Sequence, residues 1–318
     1  MNKKIIQANK YSRIIDLIRA WFKQNNFLEV FTPQLVHLPS MEPNLTPFKT
    51  EVISFKGKKT PAYLIMSPEY AMKRLLVDGF ENIFQITSSF RNCEDNSPLH
   101  NLEFKILEWY RPQADYMDIA KDTENLIYSI NKKKYLIYQN KKIDLTPPWE
   151  YLTCEQAFKK YANIDLKKLM RQKNFEDNFY KIFLTHIERN LGQERPTFLT
   201  DYPLSMAALS KKKNNFWAER FELYIGGIEL ANAFSELTDW QEQYARLKKE
   251  RQERKKLGKE NYAIDMEFIK ALKKSMPETG GIALGIERLI MLLTNKTSLA
   301  DVILFPTCEE FNLDKKNN

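Results

Sequence analysis

Apolar positions along the chain switch between helical and alternating spacing, and the switches divide it into elements. Over residues 10–26, Ile14, Leu17, Ile18, Trp21 and Phe22 fall on one stripe, with Arg13, Arg19 and Lys23 outside it. That spacing predicts an amphipathic helix. FLEVFTPQLV (27–36) reads as a strand ended by Pro33, and residues 41–60 as a loop and hairpin. YLIMSPEYAMKRLLVDG then runs from a strand into a helix starting at Pro68. ENIFQITSSFR predicts a strand, followed by a polar loop with the turn formers Asp95, Asn96, Ser97 and Pro98. The return strand over 104–111 alternates: Phe104, Ile106, Glu108 and Tyr110 point one way, and Lys105, Leu107, Trp109 and Arg111 the other. One face therefore carries a ring, a carboxylate and a phenol in a row, with Arg91 opposite. An arginine suits a phosphate or carboxylate, a ring suits a base, and a carboxylate beside a tyrosine suits an ammonium. A half-buried hairpin with a polar rim would show the same pattern.

Further along, Asp115 caps a helix expected to reach about Lys133. Residues 131–195 are basic and helical in parts, and read as an insertion packed beside the core. PTFLTDYP (196–203) is a short strand, and FELYIGGIELANAF (221–234) a β-hairpin turning at Gly226-Gly227. Residues 240–259 form a long charged helix with eight Lys or Arg between Arg246 and Lys259, read as a solvated face. GGIALGI (280–286) is a strand, and Glu287 to Leu293 a helix burying Leu289, Ile290 and Leu293. Most strands join through hairpins, so the expected class is α+β on a mainly antiparallel sheet.

Composition narrows the setting more than the chemistry. At 318 residues and 43% apolar content the chain can build a full core. A net charge of +8 favours acidic or polyanionic partners. Cys93, Cys154 and Cys308 have neither zinc spacing nor a disulfide framework, which suits a reducing cytoplasm. No segment reaches the roughly 18 apolar residues of a membrane span. A cytoplasmic location and no membrane partner are therefore expected.

Two further stretches carry candidate chemistry. The Gly-Gly turn pairs Tyr224 with Glu229, which puts Glu222 and Glu229 on one face as diagonal neighbours. Two carboxylates there repel unless a cation joins them, and oxygen ligands beside a nucleotide suit Mg²⁺. Asn232 and Glu236 share parity with each other but not with Glu229, so a common cleft requires a bulge near Ala231. Arg288 follows a glycine-containing strand and starts a helix, a placement suited to phosphate. The chain has no GxxxxGK[ST], no GxGxxG after a strand and no hydrolase-type triad signature. Nucleotide chemistry would have to rest on arginines and Mg²⁺.

Together these stretches resemble the three motifs of class II aminoacyl-tRNA synthetases. LEVFTP (28–33) looks like motif 1, FRN through LEWYR (90–111) like motif 2, and GIALGIERLIMLL (281–293) like motif 3. SPEYAMKRLL (67–76) and GIELANAFSELTD (227–239) resemble the lysyl branch. The resemblance implies an antiparallel sheet flanked by helices in a single catalytic domain spanning 1–318. With motif 1 starting near residue 27, no anticodon-binding domain is expected. A freestanding lysyl-type domain resembles the elongation factor P–(R)-β-lysine ligases. Ser67 and Ala283, standing where the synthetase has alanine and glycine, agree with that family.

The implied activity is ATP-dependent, AMP-forming ligation of (R)-β-lysine to a lysine side chain of elongation factor P, by a homodimer and without tRNA binding; the alternatives are a truncated lysyl-tRNA synthetase-like enzyme activating α-lysine for tRNA or another acceptor, and a catalytically inactive regulatory paralogue. The resemblance gives Arg91 the α-phosphate and the substrate carboxylate. Phe104 would stack on adenine, with Arg288 on its other face or at the γ-phosphate. Asn101, Leu230 and Gly285 fall in the ATP-contacting positions, and Glu222 and Glu229 would hold Mg²⁺. Asn232 would take the substrate carboxylate, Glu69 an amino group, and Glu108, Tyr110 and Glu236 the distal ammonium. Ser67 and Ala283 would shape that pocket. The family's motif 2 often has an acid two places after its arginine; here that place is Cys93 and the acid is Glu94, so either contacts adenine. The loop up to Asn101 is one residue longer than the nearest pattern.

Overall fold

A computed structural model describes residues 2–93 and 97–311. The first helix, α1 (Lys3–Gln24), begins earlier than its apolar stripe and buries Ile14, Ile18 and Phe22. The stretch expected to be one strand over 27–36 is broken. Only β1 (Leu28–Glu29) and β2 (Leu35–Val36) pair, because β1 joins the large sheet and β2 a small one. There follow β3 (Lys49–Ile53), β4 (Lys59–Leu64), α2 (Glu69–Val77), β5 (Ile83–Phe90), β6 (Glu103–Pro112) and α3 (Tyr116–Asn131). Pro68 stands at the N-cap of α2, and Asp115 and Asp118 form a capping box on α3.

Residues 131–195 are less helical and less separate than the sequence suggests. They hold a hairpin of β7 (Tyr135–Tyr138) and β8 (Lys141–Asp144), then β9 (Glu150–Thr153) and the short helices α4 (Cys154–Ala157), α5 (Leu166–Leu169) and α6 (Phe175–Ile182). β9 pairs in parallel with β10 (Thr197–Pro203), so this segment supplies an edge strand of the main sheet. Its Phe158, Phe175 and Phe179 pack with Leu199 and Tyr224 of that sheet. The chain then forms β11 (Trp217–Ile225), β12 (Ile228–Ser235), α7 (Trp240–Lys256), α8 (Met266–Leu272), β13 (Thr279–Gly285) and α9 (Ile286–Leu293).

The main sheet has eight strands in the order β1-β5-β6-β13-β12-β11-β10-β9, antiparallel except at its two ends. Alternation decides what each face meets. Leu107 and Trp109 of β6, with Ile282 and Leu284 of β13, turn toward α1, α3 and α9. There Phe22 stacks on Phe84 at 4.4 Å and meets Trp109 edge-on at 5.3 Å. The opposite face of β6 is left for the cleft. α2, α7 and α8 border it through a second apolar cluster that includes Met72, Leu76, Leu247, Phe268 and Tyr110. Phe27 and Val30 are buried in the chain's own cores, whereas Leu28 and Phe31 point outward, Phe31 at 78% exposure. No described helix is long and apolar enough to cross a membrane.

The charged helix α7 is not wholly solvated. Gln243, Leu247 and Arg254 lie on its inward stripe, and Arg254 is fully buried. Arg254 donates from Nη1 to the carbonyls of Glu42 (2.6 Å) and Leu45 (2.7 Å), and from Nε to that of Glu260. Arg246 likewise caps the carbonyls of Ala208 and Ser210. Lys259 donates to the Asn44 carbonyl (2.7 Å), so three of the eight basic residues fasten loops beside the cleft. Arg254→Met leaves three carbonyls without this donor and should lower stability by on the order of 2–4 kcal/mol. Urea unfolding measures this; an unshifted midpoint would mean that other contacts hold the 42–45 loop.

Candidate active site

The cleft has a volume of about 440 Å³ and lies over the even-numbered face of β6. Phe104, Ile106, Glu108 and Tyr110 line it from that strand, as their alternation predicts. β13 runs antiparallel to β6 with Ala283 opposite Glu108 and Gly281 opposite Tyr110. Gly281 is required by close approach: a Cβ there would stand 2.2 Å from Glu236 Oε1 and 2.5 Å from the Tyr110 ring. On the other side of β13, Ala283 pairs with Asn232 of β12.

The hairpin of β11 and β12 resolves the parity conflict in the sequence. Tyr224 pairs with Glu229, but Leu223 pairs with Ala231, so Leu230 is an extra residue in β12. This bulge brings Glu229, Asn232, Phe234 and Glu236 to one cleft. Without it Asn232 and Glu236 would project into the apolar layer beneath the sheet.

Of the residues singled out from sequence, Ser67, Glu69, Arg91, Asn101, Phe104, Glu108, Tyr110, Glu229, Leu230, Asn232, Glu236, Ala283, Gly285 and Arg288 all line this cleft. Glu222 and Cys93 do not. Glu222 is engaged elsewhere: its Oε2 accepts from Tyr202 (2.5 Å) and Tyr224 (2.6 Å), and its Oε1 from Arg220 (2.6 Å). Cys93 is exposed in a left-handed turn at φ 57°, held by the Asn92 side chain. Glu94 lies outside the described residues.

One end of the cleft is basic and aromatic. The Arg91 guanidinium lies over the Phe104 ring, 5.1 Å from its centroid, and its buried Nε has no hydrogen-bond partner among the described residues. Arg288 is held from behind, donating to the carbonyls of Glu229 (2.8 Å) and Leu99 (3.3 Å), with His100 at 3.2 Å. The Asn101 side chain is engaged on the protein itself, accepting from the backbone and hydroxyl of Thr307 and donating to the Glu103 carbonyl.

The other end is acidic and buried. Glu108 is 1% exposed and accepts from Ser67 Oγ (2.6 Å) and Tyr110 Oη (2.9 Å). Burial, with the charges of Glu69 and Glu236 nearby, pushes its carboxyl up to about 8. Burial also raises Glu236 to about 7, against the pull of Lys73. Glu229, half-buried at the cleft's middle, is raised to about 7 by desolvation and by Glu222. Among the described residues no group of three or more His, Cys, Asp or Glu is placed to hold a metal by itself.

Sequence reasoning missed Lys73. It is 1% exposed, and its ammonium stands 2.5 Å from Glu69 Oε1 and 2.6 Å from Glu236 Oε2. The signal was available: Glu69, Met72, Lys73 and Leu76 follow the i, i+3, i+4, i+7 spacing of an inward stripe on α2. Arg220 was also missed; it joins Glu222, Asn232 and the Met206 carbonyl.

A family model described as tRNA synthetases class II (D, K and N) matches residues 2–309. The lysine–tRNA ligase of Buchnera aphidicola subsp. Cinara cedri is 37% identical over 329 residues, covering 96% of this chain and 64% of that protein. The lysine–tRNA ligase of Methanospirillum hungatei JF-1 is 38% identical over 320 residues (93% and 62%), and that of Clostridium perfringens strain SM101 37% over 322 (94% and 63%). The chain therefore spans less than two thirds of the length of these relatives.

The raised carboxyl of Glu108 predicts a pH dependence of stability. A group whose folded pKa lies above its unfolded value contributes stability below the unfolded value, here about 4.5, and loses it as pH rises toward about 8. Glu108→Gln removes that loss. Relative to the parent protein, the variant should gain on the order of 2–4 kcal/mol between pH 5 and pH 9. Urea midpoints at the two pH values test this; parallel changes in both proteins would place Glu108 in a better-solvated setting.

Proposed function

The chain belongs to the class II tRNA synthetases (D, K and N), and from that premise we propose that its cleft activates a lysine-type diamino acid with ATP and transfers it to an amine. The observation that carries this reading is the polarity of the cleft. Arg91, Phe104 and Arg288 line one part, and the carboxylates of Glu69, Glu108 and Glu236 another. A nucleotide fits the first and ammonium groups the second.

In its finer form, the substrate is (R)-β-lysine and the acceptor a lysine side chain of elongation factor P. Ala283 supports this. It stands between Glu108 on β6 and Asn232 on β12, where a methyl crowds an α-amino group and leaves room for one shifted to the β-carbon. The Ser67 hydroxyl, which an alanine would lack, donates to Glu108. The net charge of +8 suits an acidic protein partner. Homodimerisation would use the outward Leu28 and Phe31, and a cytoplasmic setting fits the whole reading.

In the proposed reaction, Arg91 binds the substrate carboxylate and the α-phosphate, which would give its unpartnered Nε an acceptor. Phe104 offers adenine a face, and Arg288, fixed by two backbone carbonyls, takes the other face or the γ-phosphate. Asn101, Leu230 and Gly285 would lie along the nucleotide. The donor set fits Mg²⁺ as an ion shared with phosphates. Glu229 faces the cleft and would hold the ion together with phosphate oxygens, while Glu222, off the cleft and tied to Tyr202, Tyr224 and Arg220, would act only from behind it. When bound, Mg²⁺ would neutralise phosphate charge. The substrate carboxylate displaces pyrophosphate at the α-phosphorus; the acceptor amine then attacks the acyl carbon and AMP leaves. Both steps rest on positioning and charge stabilisation.

ATP–pyrophosphate exchange with (R)-β-lysine and α-lysine side by side tests the proposal. Preference for the β-isomer is expected. Preference for α-lysine would indicate a synthetase-type module, and no exchange with either a binding protein. Arg91→Ala should lower exchange by on the order of 10²–10³ with the fold retained, and Ala283→Gly should move preference toward α-lysine.

A further inference from the structure

Lys73 lies at the acidic end of the cleft, and the substrate roles described above leave it unused. A buried ammonium is stable only when paired, and this one has two partners from different elements: Glu69 of its own helix and Glu236 just beyond β12. Burial alone would lower its pKa, but Glu236 and Glu69 outweigh burial and hold it above the ordinary lysine value. It is therefore a permanent cation across the physiological range.

We infer that Lys73 is a positioning residue of the amine pocket: it holds Glu69 and Glu236 in place and cancels one of three negative charges, leaving a pocket matched to a ligand with two ammonium groups. This rests on reading the cleft as a diamino-acid activation site. Glu69, Glu108 and Glu236 together carry three negative charges when ionised, and Lys73 returns one. Glu108, held up at about 8 by burial, would release its proton to pair with the second ammonium, so a monoamine leaves it protonated and forgoes that ion pair. Lys73 bonds Glu69 Oε1 and stands 2.6 Å from Glu236 Oε2, an ion pair that fixes where each carboxylate sits in the cleft wall.

The groups facing this lysine and its partners are Glu69, Glu236, Glu108 and Tyr110, with Glu42 and Glu250 further along the cleft beyond Glu69. α8, packed on the outer side of α2, adds Glu267 and Lys270, which pair with each other at the surface. Without Lys73, Glu236 retains its proton to higher pH and must lose it before an ammonium binds. The lysine is closer to these carboxylates than a ligand ammonium can be to the lysine. Its loss thus raises proton competition more than it relieves repulsion of the ligand.

The test is the pH profile of kcat/KM for the diamino acid in ATP–pyrophosphate exchange. For Lys73→Met the acid limb should move to higher pH by about one unit or more, a roughly tenfold loss on that limb, with KM for ATP little changed. Lys73→Arg should return the limb toward its original place. The double variant Lys73→Met/Glu236→Gln again has two net negative charges; it should keep the original limb with a raised diamino-acid KM, and it carries the test if the single variant does not fold. An unmoved limb in Lys73→Met, equal losses toward ATP and diamino acid, or a displaced limb in the double variant would overturn the inference. Absence of exchange in the unmutated protein with any diamino acid would instead overturn the functional reading itself.

Discussion

The pairing of β11 with β12 slips by one residue at Leu230, and the polar inventory of the cleft depends on that slip. A regular strand sends alternate residues to opposite faces. Glu229 would then share its face with Ala231 and Ala233, while Asn232 and Glu236 would enter the apolar layer formed with α1, α3 and α9. Buried there without partners, a carboxylate and an amide would cost several kcal/mol. The bulge instead sends Ala231 and Ala233 into that layer and sets Glu229, Asn232 and Glu236 on a single wall. One inserted residue thus sorts the strand into a structural half and a chemical half.

A second theme is the inward use of basic side chains. Lys73, Arg220 and Arg254 are all buried, and each neutralises or caps groups that water no longer reaches. Lys73 serves two carboxylates, Arg220 a carboxylate, an amide and a carbonyl, and Arg254 three carbonyls of the loops that border the cleft. The basic composition is therefore not only a surface property. Gly281 makes the same economy of space from the other side, since Glu236 and Tyr110 fill the volume a side chain would take.

What was legible in the sequence was local. The alternation of β6, the Gly-Gly hairpin, the Asp115 cap and the need for a bulge near Ala231 all follow from spacing within a few residues. The broken strand at 27–36 was not legible, because Leu28 and Leu35 choose partners in different sheets. Nor was β9 joining the main sheet, which depends on a parallel neighbour, β10, well separated in sequence. Glu222 illustrates the same limit: its hairpin partners are readable, but the Tyr202 phenol that claims its oxygen comes from β10. Lys73 is different. Its inward stripe on α2 is written in the sequence, and only the habit of reading lysine as a surface residue hides it.

The place of β13 has a consequence for how the chain reaches this state. It inserts between β6 and β12, pairing Thr279 with Pro112 and Gly285 with Ile106 across most of the chain. The β5–β6 and β11–β12 hairpins can form from nearby residues, but neither completes the sheet. Until β13 emerges from the ribosome, two half-sheets present open edges at β6 and β12, the template on which chains pair with one another. Such long-range pairing is also slow. The newborn protein thus passes through a stage with the future floor of its cleft exposed as two sticky borders, and β13 both seals them and assembles the cleft.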